Sequence, residues 1–82
     1  MFTDVETGRY ARHFRGVLRF RTVEDAQGSV KEIDRLYRYF ERIGDRSGMR
    51  ETEVLALTGR NRARFSGKRE VAQVFMNWLV TH

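Results

Sequence analysis

The chain contains no cysteine, and in 82 residues this constrains folding more than any other feature. A domain of this size buries only about 60% of the surface its unfolded chain exposes. Small domains commonly make up the deficit with disulfides, a bound metal or self-association. Without cysteine, disulfides and thiolate metal sites are excluded. The two histidines, His13 and His82, stand too far apart in sequence to indicate a metal cluster. Self-association remains as the natural remedy. The expectation is a single domain over residues 1–82, with no metal and no cofactor. An aromatic content of 12% argues against disorder.

Fourteen arginines stand against two lysines, within a net charge of +5. A coding bias accounts for an excess of arginine over lysine, but not for its spacing. Arg15, Arg19 and Arg21 share one parity, and Arg60, Arg62 and Arg64 alternate strictly. A period of two sends side chains to one side of a β-sheet. Between Arg9 and Val23 the apolar residues Tyr10, Phe14, Leu18 and Phe20 take the opposite parity, so this segment is predicted to be a strand, bulged at Gly16. Phe2–Val5 would pair with it across Glu6-Thr7-Gly8. Glu53–Leu57 is apolar on both parities and is expected to be a central strand. Thr58-Gly59-Arg60-Asn61 would be a turn and Arg62–Phe65 the returning strand.

Two segments have helical spacing. In Ser29–Ile43, Ser29-Val30-Lys31-Glu32 has the form of a capping box. Val30, Ile33, Leu36, Tyr37, Phe40 and Ile43 then recur at three and four residues, and Gly44 sits where a left-handed C-cap is wanted. Asp45–Glu51 reads as a polar loop. The second helix, Lys68–Val80, would be capped by Ser66. Thr7-Gly8-Arg9 with Phe14 and Gly16 is echoed by Thr58-Gly59-Arg60 with Phe65 and Gly67, as if a ββα unit were used twice. The predicted fold is α+β, ordered ββαββα, a mostly antiparallel sheet with two helices on one face. Its core would include Leu18, Phe20, Val30, Ile33, Phe40, Leu57, Phe65, Phe75 and Trp78.

Function is read from two surfaces. Guanidinium groups bind phosphate bidentately and stack on bases, so a sheet face carrying Arg15, Arg19, Arg21, Arg60, Arg62 and Arg64 would meet a polyanion, foremost nucleic acid. That face lacks interleaved aromatics, because parity assigns Phe14, Phe20 and Phe65 to the core. The last helix is apolar nearly all round: Val71, Val74, Phe75, Trp78 and Leu79 form one face, and Ala72, Met76 and Val80 are left as a candidate homodimer surface. The alternative function is thus a protein-binding regulator, inhibitor or structural homodimer docking through this helix. No serine–histidine–acid set, Walker loop, dinucleotide fingerprint or zinc spacing is present, so a non-enzymatic role is expected. No run approaches 18 apolar residues, and the early acids Asp4 and Glu6 do not fit a signal peptide, so the expected location is cytoplasmic.

Overall fold

In the computed structural model, which describes residues 10–82, the chain runs through four helices. These are α1 (Ala11–Phe14), α2 (Val23–Arg42), α3 (Arg46–Phe65) and α4 (Arg69–Leu79). Among the described residues there is no strand, so the expected α+β fold with a ββαββα order is overturned. Within the expected strand from Arg9 to Val23, the described residues form α1, an irregular connection and, at Val23, the start of α2. Glu53–Leu57, the turn at Thr58–Asn61 and Arg62–Phe65 all lie within one continuous helix, α3. The predicted Phe2–Val5 pairing and the Thr7-Gly8-Arg9 part of the echo lie outside the described residues.

Helix α2 begins earlier than its capping-box pattern indicates. Thr22, in extended backbone, is the N-cap, and its Oγ1 accepts the Asp25 N–H at 3.0 Å. Glu24 and Asp25 in the first turn complement the positive end of the helix. Ser29 is therefore not a cap. Its fully buried hydroxyl accepts the Arg19 N–H at 2.7 Å and donates to the Val17 carbonyl at 2.6 Å. A polar residue inside the helix thus fastens the α1–α2 connection by satisfying backbone groups that would otherwise be stranded. Gly28 is part of this helix.

The α2–α3 and α3–α4 links share one design. Ile43 and Ser66 are C-caps, and Gly44 (φ 74°) and Gly67 (φ 74°) follow in the left-handed region. The next residue returns its N–H to the helix it leaves: Asp45 to the Phe40 carbonyl at 2.9 Å, Lys68 to the Ala63 carbonyl at 2.8 Å. With Gly44 N–H to Glu41 and Gly67 N–H to Arg64, both are Schellman closures. Gly44 therefore acts as the sequence predicts, and Ser66 ends α3 rather than capping α4. Asp45 also starts α3, accepting the Gly48 N–H at 2.9 Å, and its carboxylate accepts the buried Tyr10 hydroxyl. The predicted loop at Asp45–Glu51 is thus a capped helix start. The Phe14/Gly16 and Phe65/Gly67 echo marks two helix ends closed by left-handed glycines, not a repeated hairpin.

Helix α3 buries a face of mostly small residues, Gly48, Thr52, Ala56, Gly59 and Ala63, together with Leu55. Two glycines on this face let rings reach the backbone. A Cβ at Gly48 would stand 2.4 Å from Phe40 Cδ1, and one at Gly59 would stand 2.8 Å from Phe75 Cε1. Phe40 and Phe75 are buried in consequence, with Ile33, Val71 and Trp78 completing the core from α2 and α4. Tyr10, His13, Phe14 and Tyr39 surround the Phe40 ring. Two expected core residues are instead exposed, Leu57 and Phe65, while Leu18, Phe20 and Val30 are only partly covered. Val17, which shares the parity of Arg15 and Arg19, is buried.

Candidate functional site

The corner where α3 passes into α4 carries the chain's charge asymmetry. Between Glu53 and Glu70 the charged residues are Arg60, Arg62, Arg64, Lys68 and Arg69, with no carboxylate among them. The chain has sixteen basic and eleven acidic residues; without these five, eleven of each remain. The net charge of +5 is therefore equalled by this one corner.

Local structure explains part of the clustering. Arg62 and Arg64 occupy the last turn of α3, where cations interact favourably with the helix's negative end. Arg60 and Arg64, one turn apart, share a flank of α3 facing α4. Arg69 starts α4, and Ala72, Gln73 and Met76 close an open groove of about 210 Å³ with these three arginines. The Arg60 guanidinium is braced by Asn61 Oδ1, accepting from Nε at 3.1 Å and Nη2 at 2.8 Å. Among the described residues no carboxylate pairs with Arg60, Arg64 or Arg69. The N-cap of α4 is Lys68, which has no acceptor to offer the first amides of the helix. Its Nζ instead donates to the Arg21 carbonyl at 3.1 Å. Asp45 fills the equivalent place before α3 with a negative charge, so the two links differ in sign.

The six arginines expected on one face are divided. On a helix, residues 60 and 62 are about 200° apart, so Arg62 leaves the flank of Arg60 and Arg64. Arg62 joins Arg15 at a second groove, of about 270 Å³, with Phe14, Leu18 and Leu55. Arg19 crosses Gly28 and lies 3.9 Å from Glu32. Arg21 approaches the corner through its backbone contact with Lys68. Arg69 is not among the expected residues; its position two residues after Gly67, where α4 begins, is the signal that would find it. Phe65, in the last turn beside Arg64, is 97% exposed. Of the expected dimer residues, Ala72 is buried within the chain, Met76 is half-buried in the arginine groove, and Val80 is 71% exposed.

Other polar clusters are internally compensated. Along α2, Arg38 approaches Asp34 at 3.6 Å and Glu41 at 3.7 Å. Asp34 also accepts the Trp78 indole N–H at 2.9 Å and lies 3.3 Å from His82 Nε2. The indole hydrogen bond, with smaller help from Arg38 and His82, holds the Asp34 carboxyl below its ordinary value against the opposing effect of burial. His82 stacks on Trp78 with ring centres 4.1 Å apart. His13 packs on Tyr39 and Phe40, while Tyr10 is engaged with Asp45, so these two do not meet in a polar site. Among the described residues no group of three His, Asp or Glu could hold a metal, and no helix is long and apolar enough to cross a membrane. No protein-family model, curated protein or solved structure matches the chain.

Proposed function

We propose that the protein binds nucleic acid without enzymatic action, through the arginine corner at the α3–α4 link. The observation that carries this reading is the location of the charge: Arg60, Arg62, Arg64, Lys68 and Arg69 match the full net charge, and Arg60, Arg64 and Arg69 border one groove. Such a field attracts phosphate and raises the encounter rate. Guanidinium forks match phosphate oxygens, and Arg60, Arg64 and Arg69, which pair with no carboxylate among the described residues, need not break such ion pairs to engage them. The test is fluorescence anisotropy with short labelled oligonucleotides at two salt concentrations. Replacing Arg60 and Arg64 with glutamine should weaken binding to all sequences and lower the salt slope by roughly 1.4–1.8 units, for two lost phosphate contacts. Wild-type protein that binds no probe below about 100 μM at physiological salt would refute the proposal.

A second reading draws on the apolar end of α4. Val80 is exposed, and Leu57 and Leu79 line a groove of about 380 Å³ with Arg50, Glu53, Val54 and His82. This surface would serve a homodimer or another protein. Sedimentation of the wild type as a monomer at high micromolar concentration would remove the homodimer.

A further inference from the structure

Phe65 is the most exposed large apolar side chain among the described residues, at 97%. It sits in the last turn of a helix whose end is held by the Schellman closure at Gly67. The ring therefore projects from a fixed backbone, with Arg64 before it and Lys68 and Arg69 just beyond. Isolated exposed apolar residues are ordinary on protein surfaces. The chemistry beside this one sets it apart, since Arg64 and Arg69 border one groove and pair with no carboxylate among the described residues.

We infer that Phe65 is a stacking platform for an unpaired base, and that the ligand of the corner is single-stranded nucleic acid. The inference rests on the nucleic-acid reading above and names the form of its ligand. Proteins that hold single strands combine a cationic track for phosphates with aromatic rings that take bases face-on. In a duplex the bases are already stacked and their faces are closed to a protruding ring. A single strand offers phosphates to Arg60, Arg64 and Arg69 while turning a base onto Phe65. Stacking needs no hydrogen-bond pattern, so little sequence preference is expected. An anionic membrane surface would also meet arginines and a ring, but one phenylalanine gives a bilayer little apolar area to hold.

The test compares three labelled probes of equal length: a mixed-sequence single strand, its duplex, and a strand with abasic sites that keeps the phosphates. The proteins are wild type, Phe65→Ala and Phe65→Trp. An exposed side chain is replaced, so all three should fold alike, as checked by circular dichroism. Wild type should prefer the single strand. Phe65→Ala should lose roughly tenfold on it, about 1.4 kcal/mol, with an unchanged salt slope because no charge is removed. Its affinity for the duplex and abasic probes should not move, and Phe65→Trp should retain or exceed wild-type affinity. Equal binding of all probes, with no effect of Phe65→Ala, would overturn the stacking role and leave the charge-based proposal standing. Failure of every probe would end both. Phe65-dependent binding to phosphatidylserine vesicles without preference for the single strand would assign the ring to a membrane. Dissociation of a wild-type dimer by Phe65→Ala would assign it to a second copy.

Discussion

The same substitution at two glycines should move stability in opposite directions. At Gly48 an added Cβ would stand 2.4 Å from Phe40 Cδ1, 2.5 Å from Cγ and 2.9 Å from Cε1. Carbon atoms rest at about 3.5–4.0 Å, so the ring would have to retreat by about 1 Å or more. It has nowhere to go. Phe40 is 2% exposed and is bounded by Tyr10 at 5.3 Å, His13 at 5.2 Å and Tyr39 at 5.3 Å between ring centres. Overpacking of this kind costs about 1–3 kcal/mol. The opposing gain from alanine in a helix is at most about 1 kcal/mol, and less here because Gly48 lies in the first turn of α3. Gly48→Ala should therefore lose a net 1–2 kcal/mol or so, a fall in Tm on the order of 5–15 °C for a domain of this size. At Gly28 the Cβ would meet only Arg19 Nη2, at 3.0 Å, the far end of a half-exposed side chain that can swing aside. Gly28→Ala should then keep most of the helix gain and raise stability by about 0.5–1 kcal/mol. Thermal melts followed by far-ultraviolet circular dichroism would measure both. A Gly48→Ala Tm equal to or above wild type would show that Phe40 does not rest on the α3 backbone.

Three further outcomes are expected. Ser29→Ala should cost about 1–3 kcal/mol by stranding the Arg19 N–H and the Val17 carbonyl, read as a lower urea midpoint; an unchanged midpoint would deny the hydroxyl its fastening role. Because Asp34 titrates lower in the folded chain than the ordinary value of 3.8, its stabilising contribution is fully present above that pH and is lost as pH falls toward the folded value. Trp78→Phe removes the indole donor that is the main cause, so NMR titration should return the Asp34 carboxyl toward 3.8; an unmoved titration would contradict the assignment. Met76→Glu should bring a carboxylate to Arg60, Arg64 and Arg69 and reduce oligonucleotide affinity well beyond Met76→Gln; equal affinities would mean that the groove does not bind.

Helices α2 and α4 were legible because their buried faces are built from large apolar residues at three- and four-residue spacing. The predicted Ser29–Ile43 and Lys68–Val80 fall on them; the first begins six residues late, and the second agrees to within one residue at each end. Helix α3 was not legible for the opposite reason. Apart from Leu55, its buried face runs through Gly48, Thr52, Ala56, Gly59 and Ala63, which give little hydrophobic periodicity. The rings that fill this face, Phe40 and Phe75, belong to other helices. With the inner face nearly silent, the alternation of Arg60, Arg62 and Arg64 dominates the pattern and imitates a strand, although on the helix Arg62 lies away from the other two. Gly59 then looked like a turn, although it is glycine because Phe75 and Leu18 press on the helix there.

The same error concealed the aromatic component of the candidate site. Strand parity turned Phe65 inward, so the arginine face appeared to have no ring. On the helix, Ala63 takes the buried position and Phe65 is turned outward near Arg64. The basic character of the region was readable from composition alone, because no carboxylate falls between Glu53 and Glu70. What composition could not supply was the grouping. Arg69 joins Arg60 and Arg64 only because a three-residue link closes on Gly67 and sets the start of α4 against the end of α3. At the matching link Asp45 caps α3 and accepts the Tyr10 hydroxyl, serving local stability. Lys68 forgoes that capping bond at the α4 link. A cation in this position adds to the corner's positive field instead of offsetting it, and a positive field favours an anionic ligand.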